Sequence, residues 1–205
     1  LNLFQGFQNI ELENQLIYSS LFILLIGIPH GAIDHILLFR KREMSQITFY
    51  GIYLGLIIGF VVLWHITPVI SLLFFLLISA FHFGESQFSD ISFKKILRYS
   101  FYFFWGLCLL SSLMFYNVNE LYEITSFFDD TIILERVYNK ETIAIFFYLT
   151  NFITISSILF LLLKKKINND RFFSELFLLF LIHITFFLFP FIIGFTLYFV
   201  ALHSL

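Results

Sequence analysis

Charge is what this sequence has least of. Only 13% of its 205 residues are Asp, Glu, Lys or Arg, against 60% hydrophobic, and the mean hydropathy is +0.91. A soluble domain of this length needs far more charge to cover its surface. The 32 Phe residues would make a soluble version an aggregate, so the bilayer is the environment that suits the composition. Cysteine is nearly absent: the lone Cys108 lies in an apolar run, which excludes an intrachain disulfide and suggests no thiolate metal site. No basic run with interleaved aromatics is present, which argues against a nucleic-acid partner. The stretch from Leu1 to Gln15 carries Glu11 and Glu13 and no basic residue, so it does not read as a secretory signal. No Gly-rich nucleotide fingerprint, haem-attachment motif or internal repeat is visible.

What is present is a series of long apolar runs. Segments of about 18 or more residues can cross a hydrocarbon core roughly 30 Å thick. They predict helices at Leu16–Phe39, Ile47–Ile66, Val69–Phe88, Ile96–Tyr116, Ile143–Leu163 and Phe172–Phe189. A seventh begins after Pro190 and is still in progress at Leu205. The expected fold is all-α, a polytopic transmembrane bundle of about seven helices, forming one domain over residues 1–205. Because the first residue is Leu and the last run is cut short, the chain is expected to be incomplete at its C-terminus. Pro68 and Pro190 stand where helices begin, a position that suits a residue with no backbone donor.

The charges assign an orientation. Arg40, Lys41 and Arg42, then Lys94, Lys95 and Arg98, then Lys164, Lys165, Lys166 and Arg171 fall in three loops that alternation puts on one side. The other side receives Glu11, Glu13 and the acidic loop 117–141, with Glu120, Glu123, Asp129, Asp130, Glu135 and Glu141. The positive-inside rule then places the basic loops in the cytoplasm and the N-terminus outside a cell membrane.

Ionisable side chains within a bilayer are costly, and each asks for a reason. The set here is His30, Asp34, His35, His65, His82, Glu85, His183 and His203, with no Lys or Arg. A proton or ion pathway could use such groups, but an imidazole-rich set without cations suits a metal better. The missing lysine also argues against a retinal-binding pigment, which needs one for a Schiff base. His30, His82 and His203 each lie roughly 18–21 Å down a helix that runs from outside to inside, so the three share one level. Gly27 and Gly31 form a small-xxx-small stripe beside His30, and Pro29 should kink that helix. Asp34 follows His30, and Glu85 follows His82, by about one helical turn. Either carboxylate could accept the second ring N–H of a neighbouring imidazole. A lone membrane histidine is by default a helix–helix hydrogen-bonding residue, and His65 and His183 are read that way. His35 reads as interfacial. Lys164–Lys166 reads as a topology anchor.

Three segments carry a resemblance. Pro29-His-Gly-Ala-Ile-Asp-His35, Phe81-His-Phe-Gly-Glu85 and Tyr198-Phe-Val-Ala-Leu-His-Ser204 resemble the motifs of the Brp/Blh-like family of β-carotene 15,15′-dioxygenases, bacterial and archaeal membrane proteins that supply retinal to microbial rhodopsins. The resemblance implies oxidative cleavage of β-carotene at its central double bond, with dioxygen, to two retinal molecules. It implies a non-haem Fe(II) held by four histidines, three of them matching His30, His82 and His203. The fourth is expected one helical turn after His203, in an Arg-His continuation past Leu205. Four neutral imidazoles suit Fe(II) and leave two coordination positions open. Phe81, Phe83, Tyr198 and Phe199 are expected to line an entry for the carotenoid from the bilayer, and a retinal-binding rhodopsin is the implied functional partner. Two other readings compete. A membrane desaturase, hydroxylase or intramembrane protease would need His-x-x-x-His or His-Glu-x-x-His spacing, and neither occurs. A proton- or ion-coupled transporter could use Asp34, Glu85 and the histidines but would ordinarily show repeats.

Overall fold

The computed structural model describes residues 10–27, 46–91, 94–126 and 139–203. Among these residues every regular element is helical. The α-helices are α1 (Leu12–Phe22), α2 (Gln46–Ile66), α3 (Pro68–Phe88), α4 (Lys95–Tyr116), α5 (Val118–Thr125), α6 (Lys140–Leu163), α7 (Asn169–Leu188) and α8 (Phe191–Leu197). Two short π-helical turns continue α1 and α8, at Ile23–Gly27 and Tyr198–Leu202. Helices α3, α4, α6 and α7 are each long and apolar enough to cross a membrane, and Leu12–Ile26, Tyr50–Ile66 and Phe191–Leu202 are shorter apolar helices. The chain is a polytopic helical membrane protein.

Helix ends depart from the hydropathy reading in a consistent direction. The α6 helix starts three residues ahead of the apolar run because the Asn139 side chain accepts the Thr142 N–H at 2.7 Å. Asn168 does the same for α7 through the N–H of Arg171 at 2.8 Å. Hydropathy marks where a helix is apolar; the cap decides where its backbone begins. The expected single helix Leu16–Phe39 starts earlier, at Leu12, and changes from α to π geometry after Phe22; residues 28–39 lie outside the described residues. Helix α5 was not anticipated. It is a two-turn amphipathic segment inside the acidic loop, with Leu121 and Thr125 buried.

The centre of the bundle is the α3–α4 hairpin, with α6, α7 and α8 packed around it. Apolar packing alone distinguishes poorly between a helix neighbour and a lipid tail, so membrane helices associate through small residues and polar groups. Here the device is reciprocal. Gly84 of α3 lies against the backbone of Tyr102, and Gly106 of α4 lies against the backbone of Ala80, each so close that a Cβ would overlap the facing carbonyl. Tyr102 adds a hydrogen bond from its hydroxyl to the carbonyl oxygen of Phe88 at 3.0 Å, which closes the basic-side end of α3. Phe88, Phe101 and Trp105 fill the space beneath, with ring centroids 4.5 Å apart for Phe88 and Phe101.

Candidate functional site

His82 lies on α3 and His203 follows the π-helical end of the last helix. They are 121 positions apart in the chain, yet their rings meet edge to face with centroids 5.6 Å apart. The backbone N–H of His203 donates to the carbonyl of Tyr198 at 2.8 Å, the i→i+5 bond that closes the π turn. Such turns are rare and are found disproportionately at functional sites. Around His203 the walls are aromatic. Phe83 meets it edge-on at 5.2 Å, Phe199 stacks on it at 5.8 Å with planes 20° apart, and Tyr198 lies 5.9 Å away. Phe83 and Tyr198 are buried and pack on each other at 5.3 Å.

The remaining sequence-derived residues fall into different places. Phe81 turns the other way, against Tyr99 and Tyr102 of α4 at 5.6 and 6.0 Å, so it packs the hairpin while Phe83, Tyr198 and Phe199 surround His203. Glu85 is exposed and makes no hydrogen bond with a described residue. His30, Asp34 and His35 lie outside the described residues. His65 is exposed at the end of α2. His183 behaves as the helix–helix hydrogen-bonding residue it was read to be. Its Nε2 pairs with Oδ1 of Asn151 on α6 at 2.9 Å, and its Nδ1 with the Tyr116 hydroxyl of α4 at 3.3 Å.

Two polar anchors went unnoticed in the sequence, and they grip the helices that carry the two histidines. At the basic end, Glu175 of α7 is buried; both its oxygens accept from the Gln87 side chain at 3.0 Å, and Arg171 pairs with it at 2.6 Å. Arg171 also donates to the Gln87 carbonyl at 2.8 Å. At the acidic end, Glu120 of α5 accepts the backbone N–H of Phe191 at 2.6 Å, and the buried Gln15 of α1 accepts that of Ile192 at 3.3 Å. Gln15 in turn donates to Glu120 at 3.3 Å and to the Ile10 carbonyl at 2.8 Å. Burial raises the carboxyl pKa of Glu120 above its ordinary range, and the bonds from Phe191 and Gln15 act against that rise.

Whether these residues suit a metal can be tested on the two rings. Imidazoles that share one first-row ion through metal–nitrogen bonds of about 2.1 Å hold their ring centroids about 5 Å apart. The 5.6 Å between the His82 and His203 ring centroids is close to that spacing. Imidazole nitrogens suit a first-row ion, and aromatic rings surround His203 on several sides. Among the described residues no group of three or more His, Cys, Asp or Glu side chains that could hold a metal is gathered; they supply two imidazoles.

Fold and site together define a polytopic α-helical membrane protein that brings two imidazoles from distant helices into one aromatic setting. The chain belongs to the β-carotene 15,15′-dioxygenase family, whose family model matches residues 21–205. A β-carotene 15,15′-dioxygenase from an uncultured marine bacterium, 66A03, is 40% identical over 72 residues, which are 33% of this chain and 26% of that protein. The aligned region is thus about a quarter of the relative's length. No solved structure matches.

Proposed function

We propose that this chain carries the iron-binding bundle of an enzyme that cleaves β-carotene at its 15,15′ double bond. The reaction consumes one dioxygen and converts the central C=C bond into two C=O groups, giving two retinal molecules. The observation that carries this reading is the meeting of His82 and His203 across α3 and the last helix, in a chain that belongs to this family. His82, His203 and His30 would hold Fe(II), with a further histidine completing the set. When bound, the iron supplies the activation of dioxygen that the protein's own side chains cannot provide.

The residues of the chain do the rest. The α3 and last helices set the two imidazoles at one level, so little rearrangement is needed for them to hold one ion. Phe83, Tyr198 and Phe199 pack around the His203 ring, and Phe199, the one of the three that is not buried, would offer a flat apolar surface to a polyene. The substrate is an apolar rod of roughly the 30 Å thickness of the hydrocarbon core, and it enters from the lipid in which it already dissolves. The enzyme would lie in the cell membrane with its basic loops in the cytoplasm. Its product would serve a retinal-binding rhodopsin.

The test is retinal formation in bacterial membranes that accumulate β-carotene, with His82→Ala, His203→Ala and His183→Ala side by side. Retinal should form with the native protein and with His183→Ala, and disappear in the other two. Native protein that is well expressed and iron-loaded yet leaves β-carotene intact would defeat the proposal.

A further inference from the structure

The last helix has an unusual beginning. Pro190 supplies neither a backbone donor nor a side-chain cap, so the N–H groups of Phe191 and Ile192 are the first of the helix and have no partner within it. Left alone at a membrane boundary, such donors are expensive. Both are satisfied from elsewhere in the chain: Phe191 by Glu120 at 2.6 Å and Ile192 by Gln15 at 3.3 Å. The two acceptors are themselves joined at 3.3 Å, and Gln15 is only 1% exposed. Three segments separated by 71 to 177 positions thus meet at one point. A carboxylate at a helix N-terminus is also favoured by the helix dipole.

This point sets where the helix sits. Its apolar side chains meet neighbours no more apolar than lipid, so they discriminate poorly among lateral positions and rotations. The directional bonds do discriminate. His203 lies twelve residues further along, roughly 18 Å down the same helix. We propose that Glu120, held by Gln15, is a positioning residue for His203: it fixes the start of the last helix so that the imidazole at its other end meets His82. The proposal rests on the iron reading only for the consequence to metal binding; the placement of the helix is independent of it. Glu120 acts through the backbone and touches neither histidine.

The experiment uses the full chain, purified in detergent, with Glu120→Leu, Glu120→Gln and, as a control on the same short helix, Glu123→Leu at an exposed position. Spin labels at the exposed Ser86 and Ala201 report the relation of α3 to the last helix without any metal. Iron per chain and the electron paramagnetic resonance signal of the ferrous nitric-oxide adduct report the site. Glu120→Leu is expected to broaden and shift the label distance and to lower iron affinity on the order of tenfold. Its kcat for retinal formation should fall about tenfold with little change in KM. Glu120→Gln, which keeps an acceptor for Phe191, should restore all three readings, and Glu123→Leu should leave them at wild type. A Glu120→Leu protein with native label distances overturns the proposal, as does one whose losses Glu120→Gln fails to restore. Native protein that binds no iron, while Glu120→Leu still shifts the labels, sinks the iron reading and leaves the positioning role standing.

Discussion

Helices α2 and α4 are nearly the same length, 21 and 22 residues, and α2 is the more apolar of the two. Their fates are opposite. Ten residues of α4 are buried, among them Gly106, Cys108, Ser111 and Ser112. On α2 none of the described side chains is buried, and Ile47, Leu56 and Ile66 are 85%, 69% and 71% exposed. The difference is in the small and polar residues. Those of α4 are used: Gly106 receives the backbone of α3, Ser111 meets Thr150 of α6 at 2.7 Å, and Tyr116 meets His183 of α7. Gly51, Gly55 and Gly59 of α2 are spaced for the same use, yet nothing described lies within 4 Å of where their Cβ atoms would be. Hydropathy puts a helix in the membrane; only complementary small and polar surfaces put it against another helix.

The contrast can be broken deliberately, most forcefully at the α4 glycine. Gly106→Ala places a Cβ into the Ala80 carbonyl, and because backbone opposes it the cost should reach about 3 kcal/mol or prevent folding; thermal unfolding in detergent reads it. Gly84→Ala should behave alike through Tyr102. Next comes Arg171→Met, which strands the buried Glu175 with Gln87 as its remaining partner. Removing one member of a buried pair costs about 3–5 kcal/mol, and with the Arg171 side chain 36% exposed a loss nearer 2 kcal/mol is expected. The double variant Arg171→Met with Glu175→Gln should recover part of it.

His183→Leu is smaller still. It loses two interhelical hydrogen bonds, which average below about 1 kcal/mol in membranes. Iron content should stay at the native level, which separates this histidine from His82. Smallest is Gly55→Ala on α2, expected within about 0.5 kcal/mol of wild type. A loss comparable to that at Gly106 would mean that the α2 face is covered by something in the folded protein, and the contrast between the helices would have to be redrawn.

Helix positions were legible in the sequence because membrane insertion depends on local composition. The α2, α3 and α4 helices begin within a residue of the expected positions. Hydropathy is silent where a cap or a tertiary bond decides, at the starts of α6 and α7 and in α5. At the site, the shared depth of His82 and His203 was legible from counting residues down two helices. Their facing was not, because depth says nothing about rotation. Phe81 shows the limit: it is adjacent to His82 in the chain but packs against Tyr99 and Tyr102. Glu120 shows it again, since a glutamate in an acidic loop carries no local mark of capping a helix 71 positions away.

By itself, then, the sequence determined that this is a helical membrane protein, where its long apolar segments lie, and which imidazoles are out of place among them. Each of those follows from the transfer energy of residues taken one at a time or in short windows. Which helix is central and which histidines meet were decided only by the tertiary structure. The helices are joined by close approach at Gly84 and Gly106 and by bonds such as that from Phe191 to Glu120. They join parts of the chain that no window spans.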